Sequence, residues 1–208
     1  MAALVPPLHA RVQDQPRRPS GPDEGWQSLF DGRTLGGWEP TLFGGEGEVH
    51  VDDGRIVLEQ GNDLTGITWK GQVPAAVGYE LALEAMRVSG GDFFCGLTFP
   101  VMGSSCSLIV GGWAGSLVGL SSLDGLDASE NETTTRRTFD NGRWYAVRVR
   151  VTEHRIQAWI DDEPVVDAHT AGRKVGVRNE MLECRPLGVA SWRTKAALRG
   201  LRWRFEKR

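Results

Sequence analysis

The sequence predicts an all-β fold, two antiparallel sheets packed as a sandwich, on three observations. The first is the stretch Arg143 to Asp167, RWYAVRVRVTEHRIQAWIDDEPVVD, where apolar residues alternate with others. A period of two marks a strand with one buried face, because successive side chains leave it on opposite sides. The second is the recurrence of short alternating runs among 27 glycines in 208 residues. The third is that no run has a helical period. About a dozen strands without a helix leave a two-sheet sandwich as the expected architecture.

The first of these stretches fixes its own register. With a tight turn centred on Glu153-His154, Val151 falls opposite Ile156, Val149 opposite Ala158 and Val147 opposite Ile160. All three pairs are apolar, and a slip of one residue would set valines against polar partners. On the other face Arg148 falls opposite Trp159, where a guanidinium can lie on an indole. Asp161-Asp162-Glu163-Pro164 then turns the chain into Val165-Val166.

In chain order, residues 1–24 hold five of the ten prolines and little that could pack, so they read as a disordered tail. Ala2 to Val5 is too short for a signal-peptide core, and no basic segment precedes it. The domain is expected over residues 25–208, opening with the strand and Asp-Gly turn of Gly25 to Gly32. Glu48 to Val51 and Arg55 to Glu59 form a hairpin across Asp52-Asp53-Gly54. Gly66 to Lys70 is another short strand. Gly78 to Ser89 has helix-forming composition, yet Tyr79, Leu81, Leu83 and Ala85 alternate strictly, and the pattern outweighs the propensity. Phe93 to Phe99 and Cys106 to Val110 are nearly continuous apolar runs, as expected of strands covered on both faces. Ser116 to Leu120, Arg136 to Phe139, Leu187 to Trp192 and Leu198 to Phe205 complete the set. Trp26, Trp144 and Trp203 are assigned to the core.

The totals exclude several classes. Net charge is -3 with no basic block, which argues against a nucleic-acid surface. No apolar run approaches the roughly 18 residues that span a bilayer. Of the three cysteines, Cys95 and Cys106 flank a hairpin and have two readings, a bridge or two small core residues, with Cys184 left over. There is no nucleophile elbow, P-loop or dinucleotide fingerprint, and no two-carboxylate strand of a conventional retaining glycosidase.

Three pieces together resemble a known family. The opening WQSLFDGRTLGGWEP, the meander WYAVRVRVTEHRIQAWIDDEPVVD and the closing AALRGLRWRF are similar to the 3-keto-disaccharide hydrolase domain, over roughly residues 25 to 206. The resemblance implies a concanavalin-like jelly roll, usually in exported (periplasmic or secreted) proteins of bacteria that degrade polysaccharides. It also implies cleavage of 3-keto-glycosides, by 1,2-elimination and hydration or by net hydrolysis. A ketone at C3 acidifies the C2 proton, so the chemistry requires a base, a positive group at the enolate oxygen and an acid for the leaving group. The family carries an arginine and an acidic or amide residue on its two central strands. Here those strands read FFCGLTFPV and CSLIVGGW, without a charge.

The polar residues are therefore sought in loops. Asp124 to Thr133, DGLDASENET, puts four carboxylates within nine residues ahead of Arg136 and Arg137. Asp127 and Glu132 are the candidates for proton transfer, and Arg137 for the enolate charge. Trp113, in a glycine-rich connection, and Trp192 are candidate sugar platforms, with Glu130 as a further substrate contact. The carboxylates also offer oxygen ligands to a divalent metal such as calcium, although without EF-hand spacing, and no residue is assigned as a metal ligand. Asn131-Glu132-Thr133 is formally a glycosylation sequon. The expected partner is a carbohydrate or glycoside. Two functions follow: a 3-keto-glycoside hydrolase or lyase, or a non-catalytic carbohydrate-binding or surface-interaction module using the same aromatics. A purely structural domain is the third. A pocket with convergent carboxylates and a cation favours the enzyme; a shallow groove of aromatics favours the lectin.

Overall fold

The computed structural model describes residues 25–73 and 76–206, so the expectation for residues 1–24 lies outside the described residues. The strands are β1 (Gln27–Ser28), β2 (Trp38–Pro40), β3 (Val49–Asp52), β4 (Arg55–Leu58), β5 (Leu64–Trp69), β6 (Tyr79–Ser89), β7 (Cys95–Val101) and β8 (Ser104–Gly111). After a one-turn element, α1 (Gly112–Gly115), come β9 (Leu117–Ser121), β10 (Thr135–Arg136), β11 (Trp144–Val151), β12 (Arg155–Ile160) and β13 (Glu163–His169). A 3-10 segment (Asn179–Cys184) precedes β14 (Gly188–Trp192) and β15 (Lys195–Phe205). One sheet has the order β13-β12-β11-β6-β15-β4-β3, with β1 added on β15. The other runs β10-β9-β8-β7-β14-β5-β2, and every pairing between named strands is antiparallel. This is the two-sheet sandwich expected from the alternation.

The meander has the predicted register: Val147 opposite Ile160, Arg148 opposite Trp159, Val149 opposite Ala158 and Val151 opposite Ile156. Its inward residues are at most 1% exposed, and the Arg148 guanidinium lies 3.9 Å from the Trp159 ring centroid. The second turn is tighter than expected. Asp161 and Asp162 both take left-handed φ, 53° and 65°, the geometry that reverses a hairpin in two residues. β6 is a strand, with Tyr79, Leu81, Leu83 and Ala85 buried between the sheets. There the tertiary contacts override the helix-forming composition.

Three tryptophan assignments differ. Trp26 and Trp144 are half-buried rather than core. Arg204 and Arg202 lie over Trp26 at 4.6 and 4.8 Å, and Arg199 over Trp144 at 4.1 Å, so cation–π contact covers these indoles. Trp203 is likewise half-buried, packed against the edge of the core. All three cysteines are free and buried. Cys95 stands opposite Val110 and Cys106 opposite Phe99. That offset of four positions along the strands is about 13 Å at ~3.3 Å per residue, beyond the reach of a disulfide. The bridge is therefore ruled out by register.

The sandwich encloses the main core, but a second apolar cluster lies on the outer side of the β10–β2 sheet: Leu64, Phe93, Ile109, Leu117, Ala128, Met181, Cys184 and Ala190. Small residues on the strands make room for it. A Cβ on Gly188 would stand 2.6 Å from the Cys184 carbonyl oxygen, and one on Gly119 2.9 Å from that of Ala128. The 3-10 segment and the loop after β9 therefore lie directly on the sheet, and Thr68 Oγ1 donates to the Glu183 carbonyl at 2.8 Å. This is how β7 and β8 come to be covered on both faces without a charge.

Candidate functional site

The covering segments leave one end of the sheet open. There Leu64, Asp92, Phe93, Ile109, Trp113, Arg178, Glu180, Met181 and Trp192 line a cavity of about 220 Å³. That is room for about one sugar ring, with the cavity open to solvent at its mouth.

Trp113 is brought to the mouth by strained backbone. Gly111, Trp113, Ala114 and Gly115 all have positive φ, and for Trp113 and Ala114 the values are 45° and 64°. Left-handed geometry at a non-glycine residue costs on the order of 1–3 kcal/mol and persists only where the surroundings enforce it. Here they do. Gly112 sits where a Cβ would be 2.8 Å from Ile109 Cγ2, and Gly115 where one would be 2.8 Å from Arg87 Nη1. Trp113 is left 37% exposed, which makes its ring available. Trp192 continues β14 on the same outer face, packed on Phe93 with ring centroids 6.5 Å apart.

Arg87 holds this end together. It is 6% exposed and, among the described residues, has no carboxylate partner. Its Nε donates to Asn141 Oδ1 at 2.7 Å and its Nη2 to the Phe139 carbonyl at 2.5 Å. Nη1 reaches the carbonyls of Gly115 and Asp92 at 3.4 and 3.5 Å. One guanidinium thus ties the Trp113 turn to the Asp92 loop.

The polar groups of the cavity are unequal. Arg178 is its only lining cation among the described residues. Its Nη2 donates to Glu180 at 2.9 Å, its Nη1 donates to Asp127, and it lies 5.9 Å from the Trp113 centroid. The hydrogen bond from Arg178 holds the Glu180 carboxyl below its ordinary range, so Glu180 stays ionised. Asp92 differs: its Oδ1 accepts from the Phe93 N–H at 2.7 Å and its Oδ2 from the Ala114 N–H at 3.4 Å. No ion pair neutralises it among the described residues.

The residues expected from sequence divide. Trp113 and Trp192 line the same cavity, and Asp127 meets it through Arg178. Glu132 pairs with Arg173, which lowers its carboxyl pKa and also binds Asp124, so these acids clasp the loop to residues 173–174. Arg137 is held by Asp161 at 3.2 Å and Glu163 at 2.9 Å, at the β12–β13 turn. Glu130 is exposed outside the cavity. Asn131 is 7% exposed and its Nδ2 donates to the Leu120, Leu126 and Asp127 carbonyls, so the sequon amide is committed to the fold. Asp124, Asp127 and Glu132 of the acidic loop each pair with an arginine, and among the described residues no group of three or more His, Cys, Asp or Glu could hold a metal ion. Asp92, Arg178, Glu180 and Arg87 were missed. For Arg87 a signal existed: the inward phase of Tyr79 to Ala85 continues to position 87. Residues 170–186 carry no period from which Arg178 and Glu180 could have been read.

A second hollow, about 450 Å³, is lined by Gly45, Glu46, Gln60, Gly61 and Asn62. One oxygen of its carboxylate is taken by its own loop, since the N–H groups of Gly45, Gly44 and Phe43 all donate to Glu46 Oε2 and help pull its pKa down to about 2.

The family model for the 3-keto-alpha-glucoside-1,2-lyase-like domain matches residues 25–204. The chain belongs to that family. No curated protein sequence matches it. Solved structures that resemble this lyase-like domain share its sandwich at low identity. A proposed glycosyl hydrolase from Parabacteroides distasonis superposes with a TM-score of 0.56 at 12% identity, covering 88% of this chain and 95% of its own. Domain 4 of an extracellular arabinanase from Geobacillus stearothermophilus, solved with arabinotriose, gives 0.56 at 14%, covering 88% and 91%. A carbohydrate-binding module from Bacillus subtilis gives 0.50 at 12%, covering 81% and 95%. At these identities the likeness is one of fold. No helix among the described residues is long and apolar enough to cross a membrane.

Proposed function

We propose that this domain binds a glycoside ring between Trp113 and Trp192 and cleaves a 3-keto-glycoside by elimination across C1 and C2. The observation that carries this reading is the pairing, in one cavity, of two indoles with a carboxylate that lacks a counter-cation and a guanidinium beside it. Membership of the lyase-like family supports it, as do sugar-associated sandwiches of similar fold.

In the proposed step Asp92 takes the C2 proton, and the C–H electron pair passes to the C3 carbonyl as an enolate. Three of the five N–H groups of Arg178 serve Glu180 and Asp127, leaving two for that oxygen. When the enolate collapses, the C3 carbonyl re-forms, a C1–C2 double bond appears and the C1–O bond breaks with its pair on the leaving oxygen. The proton on Asp92 then goes to that oxygen, releasing an alcohol and an unsaturated keto-sugar. Asp127 and Glu180 orient Arg178. Glu132, Glu130 and Arg137 are assigned no part in the chemistry.

The test is product analysis by mass spectrometry with methyl 3-keto-glucoside and methyl glucoside, using wild type, Asp92→Asn and Glu132→Gln. Loss of turnover in Asp92→Asn alone is expected. Full turnover by Asp92→Asn would overturn the assignment. If neither sugar reacts but both bind, and Trp113→Ala abolishes binding, the binding-module reading takes its place.

A further inference from the structure

Resting on the glycoside reading of the cavity, we propose that the site selects by charge. It favours a ring bearing a protonated amino group and rejects an acidic ring such as a uronate. The lining holds two carboxylates, Asp92 and Glu180, against the single guanidinium of Arg178. That guanidinium is already shared with a further carboxylate, Asp127. Behind the lining, the buried Arg87 guanidinium bonds the Asp92 carbonyl and adds one positive charge. Three carboxylates (Asp92, Glu180 and Asp127) then stand against two guanidiniums, a balance of one negative charge, and the Asp92 carboxylate itself carries no ion pair among the described residues.

The indoles do not carry the bias. Each ring already has a guanidinium beside it, Arg178 at 5.9 Å from Trp113 and Arg193 at 5.5 Å from Trp192, so an ammonium could use only the part of the ring turned away from it. Arg193 adds no free charge, since it is paired with Asp63 at 2.7 Å.

The negative balance is compatible with the proposed elimination. Proton abstraction moves one charge from Asp92 to the substrate and leaves the total within the cavity unchanged. A uronate adds a charge to that total, whereas an ammonium offsets one.

The test is calorimetric titration of the full chain with the methyl glycosides of glucosamine, glucose and glucuronic acid, below the pH at which the amine loses its proton. The glucosaminide should bind about tenfold more tightly than the glucoside and the glucuronide about tenfold more weakly, the scale of partly screened charge contacts. The spread should narrow in 1 M salt and largely collapse in Asp92→Asn, with Glu180→Gln as a second neutralising variant should the first fold poorly. A glucuronide that binds as well as the glucoside overturns the charge inference and leaves the glycoside pocket standing. An undiminished spread in both variants overturns it too. Binding of none of the three sinks the underlying glycoside reading, and the selectivity with it.

Discussion

Replacing Arg87 by methionine is the sharpest test of how the site is held. The side chain is 6% exposed, and its acceptors are neutral, so its removal leaves orphaned carbonyls rather than an orphaned charge. Asn141 is at the surface and can turn to water. The Phe139 and Gly115 carbonyls are inside and cannot. A buried acceptor left unpaired costs roughly 1–3 kcal/mol. Methionine recovers part of the packing and spares the desolvation of a buried cation. The balance is a loss of about 3 kcal/mol, a large share of the 5–15 kcal/mol typical of a domain. Urea denaturation followed by far-UV circular dichroism measures it. The same variant should lose sugar binding under conditions where it is fully folded, because the Trp113 turn and the Asp92 loop lose their common anchor. A loss below about 1 kcal/mol with unchanged binding would refute the role.

Four further outcomes are expected. Val149→Asp should leave the domain unfolded at room temperature, since it drives an unpaired charge into a dry core; a melting temperature like wild type would refute the register. Trp113→Ala should weaken sugar binding in a titration while leaving the urea midpoint close to wild type, because the ring it removes is partly exposed and alanine keeps the Cβ and hence the same left-handed strain. Glu132→Gln should change stability by no more than ~0.5 kcal/mol, as for exposed ion pairs, read from the same urea midpoint. Finally, burial pushes the Cys95, Cys106 and Cys184 thiols up to about 12 in the folded state. Unfolded thiols ionise near pH 8.5–9, so this contribution is intact below that pH and is lost as the pH rises toward 12. Each pH unit in that window should remove about 1.4 kcal/mol per thiol. A variant with all three cysteines replaced by alanine should show a flatter alkaline limb in pH-dependent melting.

What could be read from the sequence followed how local the cause was. The register of the meander was legible because alternation and a two-residue turn fix it within 25 residues. The strand identity of β6 was legible for the same reason, against its propensity. The placement of Trp26 and Trp144 was not, because which arginine covers an indole depends on neighbours brought by the sheet. Of the cavity lining, the two indoles Trp113 and Trp192 were visible as aromatics among glycine and β-strand residues. Arg178 and Glu180 were not. They sit in a cover with no period, and their position depends on glycines at 96, 119 and 188 that let this cover settle on the sheet.

The second apolar cluster, outside the sandwich, divides the molecule into parts that can open separately. Its members Met181, Cys184 and Ala128 come from the cover, whereas Cys95 and Cys106 belong to the enclosed core. Lifting the cover breaks few strand pairings, so it requires less free energy than global unfolding, as for other sub-global openings. Hydrogen exchange should therefore show the amides of residues 122–134 and 177–186 exchanging ahead of β6 and β11. A thiol reagent should label Cys184 at a rate that rises less steeply with mild denaturant than that of Cys95 and Cys106, which wait for the whole sandwich to come apart. The cysteines thus act as two clocks, one timing the roof of the site and the other the fold beneath it.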